Sequence, residues 1–514
     1  MIDAVTLEVA RHRFAAIATE MGGVLRRTSL SPNIKERADC SAAVFTASGE
    51  MLAQAEHIPV HLGSMPESVK ACLARFDPVP GAQYAVNDPF AGGTHLNDLT
   101  LVAPVFVRRR HVAWVANRAH HADVGGEAPG SMPAHATTVD QEGHRVSPMQ
   151  CVADDRWLPA FLEPFVGASR TPWERRGDLD AQMGANAVAA RRLTELIESE
   201  GIDRFLAVSD ALLDYGERRM SAALAALPDG SWSFRDHMEH GDRDVAIEVT
   251  VTIDGDTLIA DFTGTDPQVE ANFNAVEAVT RSCLYYAVRV AADPAIPPNG
   301  GSYRPIDLIA PEGTLVNARF PAAVAAGNVE TSQRIADVVL GALARAAPDR
   351  VPAASQGTMN NVLIGNEEFA YYETVAGGQG ARPWADGQSG LHTGMTNTQN
   401  TPIEALHTHY PFRVVAYTLR RGSGGDGMFR GGDGIRREIV FETAATLSLM
   451  GERRRHAPWG LAGGGPGSTG EDWLHRADGS VERLPGKCTV EVRPGDRLVV
   501  LTPGGGGWGA PGPR

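Results

Sequence analysis

The chain has 514 residues, enough for two or three domains, with 43% hydrophobic residues and a formal net charge of -15 at pH 7. That balance, with no long Lys/Arg run, lacks the basic footprint that nucleic-acid binding needs. No apolar run approaches the ~18 residues of a membrane-spanning helix, and Asp3, Glu8, Arg11, Arg13 and Glu20 interrupt the start where a secretory signal would keep an apolar core.

Residues 3–27 read as an amphipathic helix: Leu7, Phe14, Ile17, Met21 and Val24 share one face, and Asp3 is placed to cap it. Pro32 breaks the pattern. Ser41–Phe45 follows as a buried strand, and Ser48-Gly49 turns the chain toward Met51–Ala53. Asp39 stands just before that strand, facing the core, where its carboxylate needs a partner. Thr100–Val107 and Val112–Val115 read as two buried strands around the basic turn Arg108-Arg109-Arg110-His111, a hairpin with Asp98 and His120 at its outer ends. Residues 176–227 are helical in spacing, as Met183–Glu198 and Asp203–Leu227 parted at Gly201, and Pro228-Asp229-Gly230 ends them. The period then changes. Val245, Ile247, Val249, Val251 and Ile253 alternate, and after Asp254-Gly255 the residues Leu258, Ala260 and Phe262 complete a second hairpin. Residues 276–292 and 330–347 return to helical spacing. Arg437–Glu442 and Arg497–Leu501 are strand-like and alternate with glycine-rich runs. RGSGGDGMFRGGDG and LAGGGPGSTG are expected as ordered turns, and the terminal TPGGGGWGAPGPR is expected to fray.

Strands and helices thus come in blocks with little βαβ repetition. The expectation is an α+β, multi-layer fold with an N-terminal helix, a metal-bearing strand region, a central helical block and a strand-rich C-terminal half. Its stretches are 1–175, carrying the metal site; 176–230, helical; and 231–514, completing a substrate cleft. The five cysteines, Cys40, Cys72, Cys151, Cys283 and Cys488, are odd in number and form no CxxC pair. Reduced, structural thiols in a cytoplasm fit that pattern.

Chemistry is densest between Asn87 and Gly126. GGTHLND carries His95 and Asp98, and RAHHADVGG carries His120, His121 and Asp123. Imidazole and carboxylate are the ligands a catalytic divalent ion takes when thiolates are absent. His95 and Asp98, three apart, share one side of a helix or tight turn, and Gly92-Gly93 permits close backbone approach. With Asp39 as a fourth ligand, two acids and two imidazoles suit zinc, manganese or iron. The competing reading is a set of buried His–Asp hydrogen bonds, and spacing alone does not choose between them. His121 either points the opposite way along its strand or serves as an acid/base group. Asp123 either orients His121 or caps the turn Val124-Gly125-Gly126. No P-loop and no GxSxG elbow is present. GNVETSQR sets Asn328, Glu330, Thr331 and Gln333 at a helix start, where polar groups receive an anion or simply cap. The amide- and hydroxyl-rich run His392–Pro411 either lines a polar cleft or satisfies its own backbone, and His392, His407 and His409 are its candidate substrate contacts.

Several motifs, in order, resemble the hydantoinase B / oxoprolinase family. They are the first 45 residues, QAEHIPVHLGSMPESV, NDPFAGGTHLNDLTLVAPVF, NRAHHADVGGEAPGSMP, the run from NGGSYRPIDLIAPEG to VETSQRIADVVLGAL, RGSGGDGMFRGGDGIRRE and TPGGGGWG. The resemblance covers nearly the whole chain. It implies an A-type partner that binds ATP in an actin-like fold and phosphorylates an amide or carbonyl oxygen, while the B-type part holds a metal and completes the reaction. It also implies that the ligands are Asp39, His95, Asp98 and His120. The expected function is therefore the metal-bearing subunit of an ATP-dependent cyclic amide hydrolase, opening hydantoin, 5-oxoproline or lactam rings in a cytoplasmic hetero-oligomer. His121, oriented by Asp123, is expected to move a proton or hold the substrate, and Asn328, Glu330 and His392 to contact it. Two alternatives stand beside this: a subunit of a biotin-independent, ATP-dependent ketone carboxylase, and a non-catalytic scaffold for the ATPase. The compact length favours the hydrolase, and a scaffold has no need of four converging ligands.

Overall fold

The structure, a computed structural model, describes residues 2–55 and 58–512. Glu56 and His57 of the QAEHIPV motif, and Pro513 and Arg514 of the terminal run, lie outside the described residues.

Helix α1 (Ala4–Thr28) begins where Asp3 accepts the Thr6 N–H at 2.9 Å, and it buries Phe14, Ile17, Met21 and Leu25. A single turn, α2 (Pro32–Lys35), leads into β1 (Cys40–Thr46) and β2 (Met51–Ala55), then α3 (His61–Leu73). The strands β3 (Gln83–Val86), β4 (Asp98–Val107), β5 (Arg110–His120), β6 (Met149–Ala153) and β7 (Arg156–Trp157) complete a seven-stranded sheet of order β2-β1-β5-β4-β3-β6-β7. Its neighbours are all antiparallel. Both faces are covered. Ala42 and Val44 enter the core under α1, whereas Ala43 and Phe45 enter the larger core on the other side. Burial on two faces explains why β4 and β5 read as continuous apolar runs rather than alternating ones.

Helices α4 (Pro159–Ala168), α5 (Pro172–Glu200) and α6 (Ile202–Leu224) follow, with Gly201 at φ 92° between the last two. α5 lies along α1, and both share a core with β1, β4 and β5. A second sheet, β11-β10-β9-β8, holds β8 (Gly230–His240), β9 (Arg243–Asp254), β10 (Thr257–Asp261) and β11 (Ile306–Ile309). Val245, Ile247, Val249, Val251 and Ile253 all point inward, as their alternation predicts. They pack in the same core as α7 (Glu277–Ala292) and α8 (Ser332–Ala346). The C-terminal half adds two more sheets. One is β13-β12-β16-β19, from β12 (Asn361–Gly365), β13 (Ala370–Thr374), β16 (Ala445–Met450) and β19 (Lys487–Val492). The other is β14-β15-β20-β17-β18, from β14 (Phe412–Arg420), β15 (Gly434–Phe441), β17 (Glu471–His475), β18 (Val481–Leu484) and β20 (Arg497–Leu501), with α9 (Ile403–His409) before it. Ile364, Tyr371, Ile439, Leu447, Leu474 and Leu498 form the core between them.

The fold is α+β, as expected. Residue 175 lies inside α5, and one core takes Ala43, Met220, Ile247 and Met450, so the three stretches share an interior. The terminal glycine run corrects the sequence reading. Gly504–Gly507 is buried, and its N–H groups donate to Ser468, Gly432, Ala354 and Gly465 carbonyls. A methyl group on Gly505 would collide with the Gln379 carbonyl, so the run is glycine because backbone packs on backbone there, not because it frays. Among the described residues, no helix is long and apolar enough to cross a membrane.

Candidate metal centre

The hairpin of β4 and β5 sets Asp98 directly opposite His120. Residues facing each other across an antiparallel pair project to the same side, so the acid and the imidazole meet: His120 Nδ1 lies 3.1 Å from Asp98 Oδ1. His95 arrives from the turn before β4, closed by the Asp98 N–H donating to the His95 carbonyl at 3.1 Å. Gly92 makes that turn possible, since its φ of 93° is left-handed and a methyl on it would meet the Glu67 carbonyl at 2.7 Å. The His95 Nε2 then sits 3.0 Å from Asp98 Oδ1. One ligand atom from each of His95, Asp98 and His120 lies within 4.8 Å of the others, and all three residues are buried.

The two oxygens of Asp98 divide their partners. Oδ1 faces His95 and His120. Oδ2 accepts from Thr94 Oγ1 at 2.9 Å, from His61 Nε2 at 3.3 Å and from Asn328 Nδ2 at 3.4 Å. Burial alone would raise the Asp98 carboxyl, but its interactions with His95, His120 and His61 outweigh that and hold it well below the usual carboxylate range. Neither ring nitrogen of His95 makes a hydrogen bond of good geometry, nor does His120 Nε2. Buried imidazole nitrogens without partners are costly, and a divalent cation beside an ionised carboxylate satisfies them. The donor set therefore fits a metal.

His61 escaped the sequence reading. It opens α3, buried, with Nδ1 2.8 Å from Ser41 Oγ on β1 and Nε2 on Asp98. Since the ionised Asp98 only accepts, Nε2 carries the proton and Nδ1 accepts from the serine. Burial lowers the His61 pKa below that of a free imidazole. Tyr372 escaped too. Its ring stacks on His120, with centroids 4.6 Å apart, and Arg37 covers it at 4.8 Å. The Tyr372 hydroxyl donates to Asn361 Oδ1, and Asn361 Nδ2 donates to Glu330 Oε1.

The remaining expected residues scatter. Asp39 is buried beside the group, and its backbone carbonyl accepts the His120 N–H at 3.0 Å, but its carboxylate is not among the three that converge. His121, one residue past the end of β5, turns toward α5 instead. Arg175 Nη1 donates to its Nδ1 at 2.7 Å and its Nε2 lies 2.9 Å from Gln182 Oε1, so no nitrogen is free to exchange a proton. Burial and the Arg175 charge push its pKa well down. Asp123 does not orient it. Its oxygens accept from the Gly125, Gly130 and Arg170 N–H groups and from the Arg170 guanidinium, so it fastens turns. Neither residue is placed for the shuttle expected of them. Asn328 reaches the centre through Asp98, from the π-helical turn Gly327–Thr331 that heads α8. Glu330, on the same turn, accepts from the Met359 N–H and Asn361, and burial pushes its carboxyl up to about 8. His392 lines a separate cavity. His407 and His409 serve α9 and its exit, accepting from the Val414 N–H and lying against the Ala405 carbonyl.

A family model described as hydantoinase B/oxoprolinase matches residues 3–511. The chain is 41% identical to uncharacterized protein MJ0963 of Methanocaldococcus jannaschii, over 99% of this chain and 91% of that one. It is 39% identical to 5-oxoprolinase 1 of Arabidopsis thaliana, covering 99% of this chain but 42% of that protein, and so spans less than half of it. It is 31% identical to the B-type subunit of a D-/L-hydantoinase, so named provisionally, from a Pseudomonas species, over 99% and 90% of the two chains. Among solved structures, the ATP-dependent caprolactamase from Pseudomonas jessenii is 30% identical with a TM-score of 0.93, over 99% of this chain and 92% of that one. Acetone carboxylase, at 18% identity and a TM-score of 0.90 over 99% and 76%, shares the fold.

Proposed function

The chain belongs to the hydantoinase B/oxoprolinase family, and from that membership we propose that it is the metal-bearing part of an ATP-dependent enzyme that hydrolyses cyclic amides. The observation that carries the reading is the meeting of His95, Asp98 and His120 at one end of the β4–β5 hairpin. Asp39 completes the set as the fourth ligand. In support, its backbone holds the His120 N–H, and its charge acts on both His61 and Tyr372. Zinc, manganese and iron all accept such donors. When bound, a divalent ion supplies Lewis acidity toward a carbonyl or water oxygen.

The chain's own residues supply the rest. Thr94 and His61 hold Asp98 Oδ2, which fixes the direction of Oδ1. Tyr372 fixes the plane of His120 by stacking. Asn328 spends its Nδ2 on Asp98, and its buried Oδ1 has no partner. That oxygen is placed to accept a ring N–H and so orient an amide over the centre. An amide is a poor electrophile, and the sequence carries no P-loop. A separate ATPase subunit that phosphorylates the amide oxygen resolves this. The hydantoinase relative is named as one subunit of its enzyme, and the caprolactamase as ATP-dependent, in keeping with that division. The cytoplasm suits five cysteines that are all free thiols.

The test is to co-express the chain with its ATPase partner and follow ATP turnover with hydantoin, 5-oxoproline and lactams, against ketones with bicarbonate. Ring opening coupled to ATP hydrolysis is the expected result. Bicarbonate-dependent turnover of a ketone, with no ring opening, contradicts the reading.

A further inference from the structure

A cavity of about 530 Å³ lies apart from the convergent group, and none of His95, Asp98 and His120 lines it. One wall is apolar, from Tyr286, Val290, Pro352 and Trp384, and the indole of Trp384 is 62% exposed. The floor is polar, from His392, Thr393, Thr396 and Asn397. Two guanidinium groups, Arg350 and Arg382, complete the lining. The Arg382 guanidinium donates to the Asp386 carbonyl at 3.3 Å, and neither arginine makes an ion pair among the described residues. Small-ligand sites have this size and composition: an apolar body with a few placed polar groups.

Three connections tie the cavity to Asp98 and His120. Gln333 on α8 donates to the Thr393 carbonyl and accepts the Met395 N–H, and five residues earlier on the same helical run Asn328 donates to Asp98. Arg37 bonds Thr374, which bonds Thr398 at 2.6 Å beyond the floor, and the same guanidinium covers the Tyr372 ring that stacks on His120. Pro59 forms part of the lining, and His61, two residues on, touches Asp98. The floor and the metal centre are thus linked through shared segments, the head of α8, the Pro59–His61 stretch and the Arg37–Thr374 contact.

We propose that this cavity binds a small organic anion with an apolar ring, the ring against Tyr286 and Trp384 and the anionic group on Arg350 and Arg382, as the antechamber to the centre at His95, Asp98 and His120. The antechamber role rests on the amide-hydrolase reading above, whereas the anion site rests on the lining alone. A guanidinium without an acid partner gives a carboxylate or phosphoryl group a charge-assisted, two-point contact. The same chemistry admits a ring carboxylate or the phosphoryl group of an activated amide.

The test is calorimetric titration of the metal-loaded full chain with 5-oxoproline and with 2-pyrrolidinone, the same ring without a carboxylate. The expected preference for 5-oxoproline is about tenfold or more. In Arg350→Met/Arg382→Met it falls below about twofold while 2-pyrrolidinone binding is unchanged, and Arg382→Lys restores part of it. Competition by inorganic phosphate in the wild type, absent in the double variant, assigns the site to phosphoryl groups as well. No competition restricts it to carboxylates. Equal binding of the two rings by the wild type, or an undiminished preference in the double variant, overturns the proposal. Repeating the titration on His95→Ala separates the two readings. Retained anion preference without bound metal leaves the cavity assignment standing on its own, and a metal-loaded wild type without anion preference sinks the cavity assignment alone.

Discussion

At Asp98 one carboxylate faces three imidazoles, and what each oxygen holds decides what each histidine does. His95 and His120 approach Oδ1 with buried nitrogens that no other group satisfies. His61 instead bridges Oδ2 to Ser41, and both its nitrogens are used. That makes it a positioning residue for a ligand, the role in which an outer hydrogen bond tunes metal affinity. Titrating manganese or zinc into metal-free His61→Asn should give a single site weakened by about 10–100-fold, with folding retained. Unchanged affinity would show that His61 only fills space. The sequence exposes His95, Asp98 and His120 because they crowd two short glycine-flanked motifs. It hides His61, which lies 37 residues from Asp98 on another element and carries no spacing signal. The roles of His121 and Asp123 were open in the sequence for a physical reason: adjacent strand residues face opposite sides, and which side holds the site is known only once α5 and α3 are in place.

Among the elements, the hairpins were the most legible. Asp98 and His120 at the outer ends of β4 and β5 follow from the strand lengths and the turn, and β9 and β10 follow from strict alternation around Asp254-Gly255. β8 was not legible, although it pairs with β9 along its whole length, because its inward stripe of Trp232, Phe234 and Met238 is interrupted by Asp236, which is paired with Arg334. The segment 149–168 hid β6, β7 and α4 behind a two-residue strand and an internal Pro164. The helix start at Gly327–Thr331 was legible as a polar cluster, but its π-helical turn was not, and that turn aims Asn328 at Asp98 while Glu330 turns to Asn361. Glu330 gives the head of α8 a pH signature. Its carboxyl rises from an ordinary 4.5 to about 8 through burial, reinforced by the Glu452 charge, so the folded state holds the proton more tightly than the unfolded one. Its contribution to stability is complete below about pH 4.5 and is lost as pH climbs toward about 8. Urea midpoints at about pH 5 and about pH 8 should therefore fall further for the wild type than for Glu330→Gln, which stays neutral throughout. Equal falls in the two proteins would contradict the assignment.

Across the whole molecule, one core links the N-terminal sheet to β9, α7, α8 and Met450 on β16, and the candidate metal centre takes contacts from distant parts of the chain, Asn328 at the head of α8 and Tyr372 on β13. Block-wise spacing was enough to read the fold as α+β, but not to see that β12 and β13 close over the centre through Asn361 and Tyr372. The terminal glycine run was misread because glycine abundance signals freedom in an isolated chain and close backbone contact in a packed one. Gly505, whose N–H donates to the Gly432 carbonyl, is of the second kind. The central claim remains the convergence of His95, Asp98 and His120 on one cation, and elemental analysis of the purified chain beside His95→Ala and Asp98→Ala tests it most directly. The expected result is about one divalent ion per wild-type chain and its loss from both variants while circular dichroism shows them folded; a full metal complement in both folded variants would rule the shared cation out.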